Sequence, residues 1–203
     1  MKRNFIVVTV VIVMISADLA IAQPSITGLS LRFGVIQNYN TPQFNNSNYV
    51  PYYELQLNGN LVKPLLRWGV YLSYWDDGID KAFPIMDYQT YSFSGKNVGV
   101  RMYLDAPQIN FIGLPLHFSL FGGVSHSFIN SKYIGGVDFA GQRGSDYSTN
   151  LNNAEVGIGL NTRLFRAISL FGEAERFIVL NSINTTYARD KYAFTFGFVY
   201  SMN

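Results

Sequence analysis

The sequence contains no cysteine among its 203 residues, which excludes disulfides, thiolate metal sites and catalytic thiols. Charged residues make up 14% of the chain and nearly balance, with a formal net charge of +2, so a nucleic-acid partner is not expected. After the N-terminus there is no run of the ~18 apolar residues that a membrane helix needs. Aromatic residues, at 16%, are abundant instead.

The N-terminus has the plan of a secretory signal peptide. Lys2 and Arg3 precede an apolar run from Phe5 to Ile15, and an Ala-Ile-Ala sequence ends at Ala22. We therefore expect an exported protein with a cleaved signal peptide over residues 1–22. The remaining residues, 23–203, suit a single domain.

Apolar and small or polar residues alternate with period two, which predicts β-strands. Eight strands are predicted: Ile26–Gln37, Tyr49–Asn60, Leu65–Asp76, Phe93–Asp105, Leu114–Phe128, Ala154–Leu164, Ile168–Leu180 and Tyr192–Met202. Most exceed the roughly 5–6 residues usual in globular proteins and are long enough to cross an apolar band of about 25 Å at a tilt.

The predicted connections alternate in length. Short or moderate links are expected at Leu61–Pro64, Ala106–Gly113 and Phe165–Ala167. Polar and mostly longer loops are expected at Asn38–Asn48, Asp77–Ser92, Ile129–Asn153 and Asn181–Lys191. Short inner turns, long outer loops and both termini inside are typical of bacterial outer-membrane barrels.

The two faces of the predicted strands differ sharply. One face is apolar and ends in the aromatic ladder Tyr192, Phe194, Phe196, Phe198 and Tyr200 of the last strand. The other carries Gly, Ser, Asn and the charged residues Arg32, Glu54, Arg67, Arg101, Glu155, Arg163, Glu173 and Glu175. Lysine is scarce at strand centres, so this polar face is not the wetted exterior of a soluble barrel. The pattern predicts an all-β, eight-stranded antiparallel up-and-down transmembrane barrel, apolar outside and polar inside.

In this layout the chain resembles the small eight-stranded outer-membrane β-barrels, the OmpA-type and OmpX-type "porin family" domains. The resemblance covers the signal peptide, the alternating strands and the aromatic last strand, which would pair with the first. It implies outer-membrane lipid and the barrel assembly machinery as partners. The chain departs from the family in ending Tyr200-Ser-Met202-Asn203, with Met202 in the lipid-facing register where an aromatic residue is common.

Inside so narrow a barrel, the four Arg and four Glu are expected to pair into a polar plug. The alternative is a small porin-like channel gated by these Arg–Glu pairs, with room for water beside glycines such as Gly69, Gly99, Gly157 and Gly159. We expect a non-enzymatic structural or surface-interaction role, with no cofactor and no metal. An extracellular ligand could bind through the outer loops.

Three motifs suggest other chemistry but fit it poorly. His126 lies between Ser125 and Ser127, which point to the opposite face, so the nucleophile–base pair of an outer-membrane lipid-modifying enzyme is not expected. Asp76-Asp-Gly-Ile-Asp80 lacks the spacing of a calcium loop. Tyr133, Phe139, Arg143 and Tyr147 of the third outer loop suit ligand capture, although packing on the barrel rim is favoured.

Overall fold

The computed structural model describes residues 25–39, 47–62, 65–76, 83–85, 89–136, 141–181 and 190–202. The predicted signal peptide and most of Asp76–Asp80 lie outside these residues. Within the described residues there are ten strands: β1 Ser25–Tyr39, β2 Ser47–Val62, β3 Leu66–Asp76, β4 Phe83–Ile85, β5 Gln89–Asp105, β6 Ile109–Phe111, β7 Leu114–Gly135, β8 Tyr147–Arg163, β9 Ile168–Val179 and β10 Lys191–Ser201.

Eight of these strands form a closed antiparallel ring. The order is β1-β2-β3-β5-β7-β8-β9-β10, and β10 returns to β1 in a register from Gly28↔Ser201 to Ile36↔Ala193. The short strands β4 and β6 extend β5 and β7 as small hairpins. The predicted up-and-down barrel, closed by its first and last strands, is confirmed.

The start of β1 and the end of β10 lie beside each other at one end of the barrel, called here the terminus end. The adjoining ends of β2 and β3, β5 and β7, and β8 and β9 lie there too. The strand ends that flank the longer connections lie at the opposite end, called here the loop end. The β6–β7 hairpin turns through Ile112 and Gly113, whose φ angles of 49° and 79° define a two-residue turn with both residues left-handed.

The hairpin of β7 and β8, called here the third hairpin, is longer than the sequence suggests. Ser131 pairs with Tyr147 and Ile129 with Thr149, so strand structure replaces much of the predicted loop Ile129–Asn153. A strand segment that projects beyond the apolar band need not alternate apolar and polar residues. Its composition is therefore that of a loop, which is why the sequence predicted a loop here.

Large apolar side chains are exposed around the outside of the ring, as the alternation predicts. One from each barrel strand in turn is Leu31, Leu55, Leu72, Val100, Leu120, Ile158, Ile168 and Phe196. A band of this extent far exceeds the scattered apolar residues that a water-soluble surface tolerates, and it matches a hydrocarbon surrounding. No helix in the described part of the chain is long and apolar enough to cross a membrane.

Candidate functional site in the barrel lumen

Arg101 lies at the centre of the lumen and contacts three carboxylates. Its Nη1 is 2.7 Å from Glu54, its Nε is 2.8 Å from Glu155 and its Nη2 is 2.7 Å from Glu175. Side chains of all four residues are 0–1% exposed. The carboxylates come from β2, β8 and β9, so one guanidinium joins strands on opposite sides of the barrel.

Arg32 extends this set of ion pairs. Its Nε is 3.1 Å from Glu54, which therefore bridges Arg32 and Arg101, and its Nη1 pairs with Glu173. Its Nη2 donates a hydrogen bond of 3.0 Å to the Tyr103 hydroxyl. The ion pairs thus form one continuous network, called here the lumen network, of Arg32, Glu54, Arg101, Glu155, Glu173 and Glu175.

Aromatic rings support both guanidinium groups. The Arg101 guanidinium carbon lies 3.9 Å from the ring centroid of Tyr71, and that of Arg32 lies 4.6 Å from Phe171. Tyr71 also donates its hydroxyl hydrogen to Glu155. Stacking on aromatic faces favours a desolvated guanidinium over a desolvated ammonium. This explains why arginine rather than lysine suits these two positions.

The lumen network contains more negative than positive groups. Two arginines face four glutamates, which leaves two formal negative charges in excess when all of them are ionised. Glu175 contacts Arg101 as an ion pair, but neither of its oxygens accepts a well-aligned hydrogen bond. The network can crosslink strands and attract a cation, and none of its six groups is a hydroxyl or thiol nucleophile.

Two arginines predicted for this network lie apart from it. Arg67 pairs with Asp105, at 2.7 Å between Nη2 and Oδ1, and stacks on Tyr103. Arg163 is exposed and donates a 3.0 Å hydrogen bond to the Arg166 carbonyl. Both lie at the terminus-end tips of their strands, nearer that end of the barrel than the glutamates are. The prediction that these two arginines pair with the glutamates was therefore wrong.

An apolar layer fills the lumen on the loop side of this network, and the sequence analysis did not predict it. Its buried members are Ile36, Val50, Tyr52, Trp75, Tyr91, Phe93, Ile129, Leu151, Phe177 and Ala193. A cavity between them, lined in part by Lys191, measures only about 10 Å³, which is at the lower limit of space for one water molecule. The alternation itself indicates this layer, because Phe93 and Phe177 have the same inward parity as Arg101 and Glu175 on their strands.

The glycines expected to leave room for water are covered by neighbouring side chains. The Tyr71 ring lies over Gly99 and the Phe121 ring over Gly157, while the Gln56 side chain covers Gly69. A side chain of the adjacent strand therefore fills the space that a larger residue would take at each of these glycines.

The aromatic ladder of β10 points outward along its whole length. Tyr192, Phe194, Phe196, Phe198 and Tyr200 are 39–64% exposed. Across the seam, Phe196 pairs with Phe33 and Phe198 with Leu31. These rings join the outer apolar band.

The remaining candidate motifs have local structural partners. The His126 ring nitrogen Nδ1 lies 2.7 Å from the Asn152 amide oxygen, whereas Ser125 and Ser127 are buried on the inner face and accept hydrogen bonds from Asn153. This opposite placement agrees with the strand alternation. Asp76, the described residue of the acidic stretch, accepts a hydrogen bond from the Tyr74 hydroxyl.

Tyr133 and Tyr147 of the third hairpin pack at the rim of the lumen. Their ring centroids lie 5.6 and 5.7 Å from that of Tyr91. Phe139 lies outside the described residues, and Arg143 is exposed. For the two tyrosines, rim packing is therefore the observed arrangement.

Comparison with known proteins gives structural but not sequence relatives. No family model and no curated protein sequence matches the chain. A crystal structure of Neisserial surface protein A is similar with a TM-score of 0.64 at 12% identity, covering 89% of this chain and 99% of that one.

Two further crystal structures are similar over 88% of this chain and 100% of theirs. They are Ail, the attachment invasion locus protein of Yersinia pestis, with a TM-score of 0.50 at 13% identity, and a major outer membrane protein from Thermus thermophilus, with a TM-score of 0.51 at 12% identity. The fold is therefore that of the small outer-membrane β-barrels, as the resemblance implied.

Proposed function

We propose that this protein is an integral outer-membrane barrel whose lumen is closed to ions and whose role is structural or surface-interacting. The membrane location is supported by the exposed apolar band and by the shared fold. Among the similar structures reported above, one is named a surface protein and one an attachment invasion locus protein. Their names agree with a role at the cell surface.

Closure of the lumen is supported chiefly by its packing in two layers. An ion passing through must displace the lumen network and then the apolar layer above it. Opening the first layer separates buried charges, which costs several kcal/mol per unpaired ion. Opening the second separates packed apolar side chains around a cavity of only about 10 Å³.

A conductance measurement tests this proposal. We expect the refolded mature chain, residues 23–203, to insert into planar bilayers without discrete current steps, and Glu173→Gln to be equally silent. Glu173 carries a charge at the edge of the network, with a side chain 6% exposed. A general porin in the same bilayers sets the detection limit, and heat-modifiable electrophoretic mobility verifies that each barrel is folded.

The alternative is the small channel, and the excess of two carboxylates in the lumen favours it. Such a pore would prefer cations, and neutralising Glu173 would change its conductance or selectivity. Steps in the wild type that Glu173→Gln alters would overturn the closed-lumen proposal and establish this alternative.

A further inference from the structure

An apolar groove runs over the outer face of β1, β2, β3 and β5. It has a volume of about 490 Å³, and its floor includes Leu31, Leu55 and Leu72. Phe33 and Tyr53 form one wall, with ring centroids 6.2 Å apart in an edge-to-face contact. The groove is part of the outer apolar band, so its natural occupant there is a hydrocarbon chain.

Lys96 lines the same groove at its loop-end edge. It is exposed on the outer face of β5, in register between Tyr74 of β3 and Phe128 of β7. Among the described residues it has no hydrogen-bond or ion-pair partner. A lysine whose stem lies on an apolar surface extends its ammonium group to the membrane interface, where it attracts an anionic headgroup.

A polar pocket of about 680 Å³ continues the surface from Lys96 toward the loop end. Asp76, Ser94 and Asn130 lie side by side across β3, β5 and β7, two residues along each strand from the row of Lys96 and on the same face. Lys132 and Asp146 also line this pocket. Hydroxyl, amide and carboxylate groups together suit a ligand with many hydroxyls, because each can accept or share a hydroxyl hydrogen.

We propose that this surface binds a phosphorylated glycolipid of the outer leaflet. One acyl chain lies along Leu31, Leu55 and Leu72, a phosphate contacts Lys96, and the sugar hydroxyls face the polar pocket. The inference rests on the membrane location in the proposed function, with the loop end outward. Toward the loop end, the apolar groove is followed by Lys96 and then by the polar pocket. The acyl chain, phosphate and sugar of such a lipid come in the same order.

The carboxylates of the pocket favour a sugar over a second phosphate at that level. Asp76 accepts a hydrogen bond of 2.6 Å from Tyr74, and Asp146 accepts one of 2.7 Å from the Tyr133 backbone amide. These two carboxylates outnumber the ammonium group of Lys132 in the pocket lining, so together they disfavour a second phosphate there and accept further bonds from hydroxyls. A glycerol phospholipid has an acyl chain and a phosphate but lacks the ring hydroxyls.

The test uses the barrel in detergent and native mass spectrometry to measure the affinity for bisphosphorylated lipid A. We expect Lys96→Met, which keeps the apolar stem, to weaken binding about fivefold, as one interfacial lysine contributes on the order of 1 kcal/mol. Lys96→Arg is expected to retain binding. Arg166→Met, which removes an exposed cation at the terminus end, is the matched control and is expected to change nothing.

Two further ligands separate the possible sources of the signal. Dephosphorylated lipid A is expected to bind weakly and without dependence on Lys96, and phosphatidylglycerol is expected to bind less tightly than lipid A. Equal affinity of Lys96→Met and wild type for lipid A, or equal binding of phosphatidylglycerol and lipid A, would overturn the inference.

Insertion into vesicles is scored first, by heat-modifiable mobility. A chain that does not insert would refute the proposed function and this inference with it. An inserted barrel whose lipid A binding ignores Lys96 would refute this inference alone, and an inserted barrel that conducts ions would refute only the closed lumen.

Discussion

Replacing Arg101 by methionine is expected to lower the free energy of unfolding by about 3–5 kcal/mol, or to prevent folding altogether. The substitution keeps a long side chain but leaves Glu54, Glu155 and Glu175 without their shared cation. Uncompensated carboxylates in a buried site repel one another and lack water. Urea unfolding of the barrel in vesicles, followed by tryptophan fluorescence, measures the loss.

Arg67→Met is the matched control for this prediction. Arg67 also pairs with a carboxylate and stacks on a tyrosine, but its side chain is 23% exposed at the terminus end. We expect it to lose about 1 kcal/mol, as partly solvated pairs do. Adding Glu155→Gln and Glu175→Gln to Arg101→Met should recover much of the stability. Equal losses at Arg67 and Arg101 would contradict the central role of Arg101.

Gly197→Val is expected to block closure of the barrel. Gly197 faces the lumen at the seam between β1 and β10, opposite Arg32. A β-carbon there would overlap the Leu31 carbonyl oxygen and approach the Arg32 backbone, which cannot swing aside as a side chain can. Overpacking of this kind typically lowers stability by about 1–3 kcal/mol. We expect a loss near the upper end of this range, because the backbone itself must move. The folded fraction after refolding into vesicles, read from heat-modifiable mobility, should fall sharply.

Gly172→Val provides the comparison on the neighbouring strand β9. Gly172 pairs with Phe196 and faces outward, and a β-carbon there meets a single atom at the ordinary distance of 3.9 Å, the Thr195 carbonyl oxygen. We expect normal folding, since valine favours strands and hydrocarbon. If both substitutions reduced folding equally, the loss would reflect missing glycine flexibility rather than the seam contact.

The strands and their faces could be predicted from the sequence because alternation determines which way each side chain points. The outward ladder from Tyr192 to Tyr200 and the inward Arg101 follow from this rule alone. Alternation says nothing about height along the barrel axis, which depends on how adjacent strands are staggered. Arg163 has the same parity as Glu155 on the same strand, but it is the last residue of β8 and so lies too far along the strand to contact the glutamates.

The apolar layer escaped prediction for a related reason. Inward residues of a barrel need not be polar where side chains from all strands meet and exclude water. Trp75 and Phe93 lie near the strand ends, where the sequence resembles that of a loop, whereas the glutamates of the lumen network lie nearer the strand centres. Only the three-dimensional level shows that these rings meet Ile129 and Leu151 from the other side.

The lumen network also constrains the order in which the barrel can enter the membrane. Arg32 and Glu54 face each other in register, so the first hairpin carries its own countercharge. Arg101, on β5, contacts Glu54 of that hairpin, but Glu54 is shared with Arg32. The other two carboxylates of Arg101 lie on β8 and β9, and Glu155 follows 54 residues later in the chain. A barrel that entered lipid one hairpin at a time would hold two guanidinium groups against one carboxylate in hydrocarbon until those strands arrived. Insertion is therefore favoured as a concerted event, in which the later strands arrive before the earlier ones leave water.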